Sequence, residues 1–284
     1  MILKNKRVLV VGGAGFIGSH IVAEMVNRDC EVLTINHTSS LYSVLRKKTV
    51  EQKIDVDVVY YEALCPSLIN NVRGITNVLE AMKNKSPHTV LVFASSGSVY
   101  GNSVCTPQTE LCPCNPTTIN GLAKLLAEQI IKFYTLNYGL KTVVLRYYNP
   151  VGKGQKSGFL FDIIHSVLSG SPPIIYGDVQ QKRCLTSVND VVDANVLAYE
   201  NPAAYGQVFN IAGSEIATIE EIATMACELS PFKGLKPKYD RDRIDCPAYN
   251  FVPSIDKARN LLGYSPKVKL KDMITMLLQE GQGQ

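Results

Sequence analysis

Along the first half of the chain, short runs of aliphatic and β-branched residues alternate with stretches of helical period. "RVLVVG" (7–12), "EVLTIN" (31–36), "VDVVYYEA" (56–63), "TVLVFASS" (89–96) and "KTVVLRYYN" (141–149) read as strands. "SHIVAEMVNRD" (19–29) and "NVRGITNVLEAMK" (71–83) read as helices, and 116–137 as one long helix. Nearly unbroken apolar strands mean burial on both faces, and parallel strands need helical crossovers. The pattern therefore predicts an α/β fold with a doubly wound parallel sheet. After Gly152 turns rich in Gly and Pro, such as "SGSPPIIYGD" (169–178), alternate with single helices, which predicts a smaller C-terminal domain. "QVFNIAG" (207–213) reads as a last strand returning to the first. The expected division is 1–152 with 185–212 for the sheet domain, and 153–184 with 213–284 for the second.

Composition adds limits. The chain has 284 residues, 46% apolar and 19% charged, enough for a full core without covalent staples. A net charge of +4 over this length is too dilute to suggest nucleic acid, while leaving room for a local basic pocket. None of the eight cysteines forms a CxxC pair, and "CPC" at 112–114 is their only cluster. No metal site is expected, and scattered free thiols fit a reducing cytoplasm. No apolar run approaches the ~18 residues of a membrane span. The N-terminal apolar run is short and breaks into glycines, unlike a signal peptide.

"VLVVGGAGFIGSH" (8–20) sets Gly12, Gly15 and Gly18 in GxxGxxG spacing between a strand and a helix. The first glycine allows the tight turn, the second lets the backbone approach a pyrophosphate, and the third lets helix and strand pack closely. A dinucleotide is the predicted ligand. The second strand ends at Asn36, where an acid would bind a ribose diol and favour NAD. Asn36 does not repel a 2′-phosphate, and "HTSS" (37–40) with "RKK" (46–48) either holds one or forms a solvated loop. The choice between NAD and NADP stays open. Ser95 and Ser96 end another strand, at the side of such sheets where ligands bind.

Taken together, "GGAGFIGSH", "FASSGSVYG", "GLAKLLAEQ", "LRYYNPVG", "IIYGD" and "LLGYSP" resemble, in order and spacing, the extended short-chain dehydrogenase/reductases. The similar branch is the NAD-dependent nucleotide-sugar epimerases and dehydratases, and "LRYYNPVG" looks most like a UDP-glucose 4-epimerase. The resemblance implies a Rossmann-type sheet, NAD or NADP as cofactor, a nucleotide-diphosphate sugar as substrate, a cytoplasmic location and a homodimer paired through the helices at 71–83 and 116–137. It implies cofactor contacts at Gly12, Gly15, Phe16, Ile17, Gly18, Asn36, Ala63, Lys124, Tyr147 and Pro150. Ser96, Asn149 and Arg183 fall on substrate-binding positions, and Asn71 on an asparagine of the central helix. The alternatives are a simple turn at Asn149-Pro150 and a surface charge at Arg183. Ser96, Lys124 and Asn120 fall on the catalytic positions.

Four features break the pattern. Position 120, where the family's proton-accepting tyrosine belongs, holds Asn120, which has no proton to exchange. Glu62 stands where a small residue usually packs on the cofactor, either turned away or close to the pyrophosphate. Only about twenty residues separate Asn36 from Asp57, so an extra strand and a longer helix are expected to be missing. "SSGSVYG" also lacks the Asp-Glu pair of the 4,6-dehydratases. Asp245 lies near a loop where the family has an acid, but Cys246 takes that place. The sequence thus predicts an NAD(P)-dependent 4-epimerase with Tyr100, Glu62 or a water standing in for the phenol, or a relative that binds without redox turnover. Tyr100 reads better as a packing tyrosine whose hydroxyl is satisfied locally.

Overall fold

The computed structural model describes residues 3–38, 41–240 and 250–282; Ser39, Ser40, Asp245 and Cys246 lie outside them. In chain order the first half holds β1 (Arg7–Val11), α1 (Phe16–Asn27), β2 (Glu31–Ile35), the short pair β3 (His37–Thr38) and β4 (Leu41–Tyr42), α2 (Lys47–Lys53), β5 (Val58–Tyr61), α3 (Leu68–Lys85), β6 (Val90–Ser96), α4 (Ile119–Tyr138) and β7 (Lys141–Tyr147). Then come β8 (Pro150–Val151), α5 (Phe159–Leu168), β9 (Ile174–Tyr176), β10 (Lys182–Cys184), β11 (Thr186–Ser187), α6 (Val188–Glu200) and β12 (Gln207–Ile211). The chain ends with β13 (Ile216–Thr218), α7 (Ile219–Glu228), β14 (Lys238–Asp240), α8 (Asp256–Leu262) and α9 (Leu270–Gln282).

Six parallel strands form the central sheet in the order β12-β7-β6-β5-β1-β2. Alternation along each strand feeds two cores. Val8, Val10, Val58, Tyr60, Val92 and Tyr147 face α1 and α6, whereas Leu9, Val11, Val59, Tyr61, Leu91 and Phe93 face α2, α3 and α4. A third apolar cluster gathers α5, α7 and α9 around Val167, Ile222 and Ile274. The strand predicted at 207–213 is β12, and it closes the sheet beside β7. The long helix starts at Ile119 rather than at 116, because Thr118 caps it by accepting from the Gly121 amide at 3.1 Å.

The chain leaves β1 for β2 on one side, then crosses back to β5 on the other. The C-terminal end of β1 is therefore where the sheet reverses direction, the place where open α/β sheets bind ligands. Among the described residues, no strand lies beyond β2 in this sheet. The shortened segment after Asn36 supplies only β3, β4, a turn at Ser43–Leu45 and α2. Ile35 turns its carbonyl inward to the Gly12 amide at 2.7 Å, so the preceding carbonyl, Thr34, points outward, and Lys53 Nζ donates to it at 2.8 Å.

Candidate functional site

The loop after β1 is built for close approach. Gly12 has φ +92°, and a Cβ there would sit 2.9 Å from the Ala63 amide nitrogen. A Cβ on Gly18 would fall 2.1 Å from the Gly12 carbonyl oxygen, so only glycine lets α1 lie against the loop. Helix α1 begins at Phe16 with Gly15 at its N-cap and no side-chain cap, which leaves its first amides for an anion. Phe16 packs edge-on against His20, whose Nε2 meets the Lys153 carbonyl at 2.8 Å, and Ile17 packs into the core. Asn36 ties the end of β2 to this loop by accepting from the Ala14 amide at 2.8 Å.

Beside the loop opens a cavity of about 390 Å³, lined among others by Gly15, Asn36, Val44, Leu45, Ala63 and Asn71. Its size, its apolar wall and the glycine cradle fit the adenosine half of a dinucleotide. Val44 and Leu45 were not legible as lining residues, because they stand in the short segment that replaces regular structure. Of the basic run, Arg46, Lys47 and Lys48 are exposed, and Lys47 lies 3.8 Å from Glu51. Asn71 holds the entry to α3, accepting from the Cys65 amide at 2.8 Å and donating to the Ser67 carbonyl at 2.9 Å.

On the other side of the loop, the ends of β5, β6 and β7 gather the ionisable groups. Lys124, only 8% exposed, donates from Nζ to the Ala94 carbonyl at 2.6 Å. Burial pulls its pKa down to about 8 against the opposing pull of Glu62 and Glu128. Glu62 follows Tyr61 in β5's alternation, so its side chain falls on the face shared by Tyr60 and Tyr147. There its Oε1 accepts from the Tyr147 hydroxyl at 3.1 Å, which in turn accepts from Asn195 Nδ2 at 2.7 Å. Glu62 Oε2 is buried with no hydrogen-bond partner among the described residues. Burial raises the Glu62 pKa to about 7, while Lys124 and Tyr147 pull it back. Burial, followed by the nearby carboxylate, raises Tyr147 well above the ordinary phenol range. Of the two orientations predicted for Glu62, the structure thus gives the one turned away from the glycine loop.

Asn120 sits one turn before Lys124, on the exposed first turn of α4. Ser96 caps the turn at Gly97–Tyr100, its Oγ accepting from the Ser98 amide at 3.1 Å and from the Ser98 hydroxyl at 2.8 Å. Gly121 keeps α4 against that turn, since a Cβ there would lie 2.5 Å from the Ser98 carbonyl oxygen. Pro150 pairs with Thr186 between β8 and β11. Asn149 has φ +40° and donates from Nδ2 to the Cys184 carbonyl at 2.9 Å, so it does shape a turn. Arg183 is not a surface charge. It is 8% exposed, stacks over Phe251 at 5.1 Å and donates to Gln181 Oε1 at 2.6 Å.

Behind the site runs a buried network that sequence reasoning missed. Arg146 grips Glu128 with two bonds, Nε to Oε1 at 3.0 Å and Nη2 to Oε2 at 2.6 Å. Ser95 donates to the same carboxylate. Arg146 Nη1 also donates to the Tyr100 hydroxyl at 2.7 Å, which donates to Asn210 Oδ1 at 2.8 Å. Tyr100 is thus the packing tyrosine expected, although its partners lie far along the chain. Its hydroxyl is fully engaged and inside the core. The available signal was an arginine within the apolar run "VVLRYY" and a glutamate one turn after Lys124.

Comparison with known proteins agrees with this geometry. The model of the "NAD dependent epimerase/dehydratase family" matches residues 8–212. A UDP-glucose 4-epimerase of Lactobacillus helveticus is 29% identical, over 92% of this chain and 92% of its own. The crystal structure of a Thermotoga maritima UDP-glucose 4-epimerase with UDP-glucose superposes with a TM-score of 0.88 at 27% identity, covering 98% of this chain and 99% of that one. A UDP-glucuronic acid 4-epimerase of Bacillus cereus, in complex with UDP-glucuronic acid and NAD, gives 0.85 at 27% identity over 98% and 99%.

Proposed function

Because the chain belongs to the NAD dependent epimerase/dehydratase family, we propose that it is an NAD(P)-dependent nucleotide-sugar epimerase acting at the sugar's C4. The observation that carries the reading is the glycine cradle over a cavity at the reversal of the sheet, with Lys124 buried against the Ala94 carbonyl near the C-terminal end of β6. Bound dinucleotide supplies the acceptor and donor of the hydride by which a sugar carbon is transiently oxidised. Gly12, Gly15 and the first amides of α1 hold its pyrophosphate, and Asn36 and the Val44–Leu45 wall take the adenosine half. Lys124 orients the second ribose as a fixed donor, and Ser96 hydrogen-bonds the reacting hydroxyl. Asn149, just after β7, and Arg183, within β10, receive the nucleotide-sugar diphosphate, for which a guanidinium fork is suited. In this reading 153–184 with 213–284 is the nucleotide-sugar-binding part.

One observation favours a second reading. With Asn120 where the family's phenol would stand, the site lacks its usual proton acceptor, and general acid–base catalysis is worth roughly 10²–10⁴-fold. The alternative is a protein that binds cofactor or nucleotide sugar without redox turnover. Incubating the protein with NAD or NADP and a panel of UDP-, GDP-, CDP- and dTDP-sugars separates the two. Epimer formation, or a transient rise in near-ultraviolet absorbance, is expected for the enzyme. Binding with neither signal assigns the second reading, and no binding of any dinucleotide or nucleotide sugar rejects both.

The assembly is part of the proposal. Ile69 on α3 and Ile119, Phe133 and Leu136 on α4 are large apolar side chains left exposed on two helices that pack side by side. A homodimer formed across this pair would cover them. Sedimentation of a single species at twice the chain's 31.2 kDa is the expected result. A cytoplasmic location accords with the free thiols of the described residues.

A further inference from the structure

We propose that Glu62 sets the redox preference of this site: its carboxylate, buried beneath the reaction end of the cleft, favours the positively charged oxidised nicotinamide over the neutral reduced ring. The inference rests on the dinucleotide-binding reading above and deepens it.

The topology places the ring. With the pyrophosphate on the glycine loop and the adenosine half in the cavity beside Ile35 and Asn36, the other half of the dinucleotide extends over the ends of β5, β6 and β7. Glu62 stands there, directly after β5, its backbone pressed on Gly12. Its carboxylate is poorly compensated. Among the described residues Oε1 has one donor, the Tyr147 hydroxyl, and Oε2 is buried with none. Lys124 is the cation that faces it from α4, yet the two form no ion pair among the described residues, and Lys124 Nζ is bonded to Ala94. Behind Tyr147, Asn195 from α6 donates to its hydroxyl and carries no charge, and Asn195 Oδ1 and the nearby Tyr60 hydroxyl are buried without a partner among those residues. A buried carboxylate in this state gains most from a nearby cation, since charges interact more strongly away from water. The oxidised ring is a planar, delocalised cation, and reduction removes that charge.

The preference therefore follows the ionisation of Glu62. Lys124 and Tyr147 are the ionisable groups that face it, with Glu128 acting on Lys124 from one turn along α4. Burial brings the Glu62 pKa to about 7. As pH rises through that value the carboxylate forms, and oxidised dinucleotide gains affinity relative to reduced.

Calorimetric titration with NAD and NADH, or with NADP and NADPH if only those bind, tests this without turnover. The ratio of the two affinities is expected to move toward the oxidised form by about tenfold between about pH 6 and about pH 7.5, a change of about 1.4 kcal/mol. Glu62→Gln should hold the ratio at its acid value throughout that range. Tyr147→Phe, which removes the one donor to the carboxylate, should shift the midpoint to higher pH. The wild-type titration alone decides the matter if a variant does not fold. Binding of both forms with a pH-independent ratio overturns this inference while leaving the dinucleotide site intact. Failure of both forms to bind removes the dinucleotide-binding reading and this inference with it.

Discussion

The two ends of the cleft follow different rules. At the glycine loop every feature serves the same end. The positive φ of Gly12, the contact that forbids a Cβ at Gly18, the uncapped start of α1 and the Asn36 tie all shape one cradle. At the reaction end the groups pull against one another. Asn120 lies exposed without a proton to give, while the Glu62 carboxylate is held beside the Tyr147 phenol with one oxygen unmet among the described residues, and burial depresses the Lys124 ammonium. The contrast teaches that the two ends can be perturbed separately, since one depends on backbone geometry and the other on ionisable side chains. One end is shaped by backbone, and the other is defined by the ionisation of its side chains.

The sharpest way to test that separation is to break the support behind the reaction end. Glu128→Ala leaves Arg146 buried without its carboxylate and is expected to cost about 3–5 kcal/mol, read by chemical denaturation. Gly18→Ala attacks the other end. It should weaken dinucleotide binding by about a hundredfold or more, because α1 must move off the loop before the new methyl fits. If that variant bound normally, the loop would not be the phosphate site. Asn120→Tyr restores a phenol one turn from Lys124 and should raise epimerase activity by at least about tenfold, the low end of what acid–base catalysis supplies. An unchanged rate with intact cofactor binding would place residue 120 away from the chemistry.

The smallest effect concerns stability. Glu62 has a raised pKa, so it stabilises the fold in its protonated form, and that contribution is lost as pH rises from the ordinary carboxylate range through about 7. Between about pH 5 and about pH 7.5 the wild type should lose about 1–2 kcal/mol that Glu62→Gln retains, seen as a melting difference of a few degrees. The Lys124 shift, centred near 8, acts above this window.

Much of the scaffold is legible in the chain itself, because it depends on local rules. Unbroken apolar runs locate β1, β5, β6 and β7, glycine spacing marks the loop, and the count of residues after Asn36 signals that β2 is the outer strand among the described residues. The network through Glu128, Arg146, Tyr100 and Asn210 was hidden for the opposite reason. Its partners lie up to 110 positions apart, and each residue looks ordinary in its own segment. Glu62 was visible as an oddity. Its direction became clear only when strand alternation and the position of Tyr147 were known together, and that direction turns its carboxylate to the Tyr147 hydroxyl.

The outer edge of β2 has a consequence of its own. Among the described residues no strand pairs with it, and such an edge offers outward carbonyls to any extended chain that drifts past. On this border the Thr34 oxygen is already taken by the Lys53 ammonium. An incoming strand would have to displace that lysine and lodge a cation against its own backbone, so one side chain discourages the stacking of sheets into fibrous aggregates.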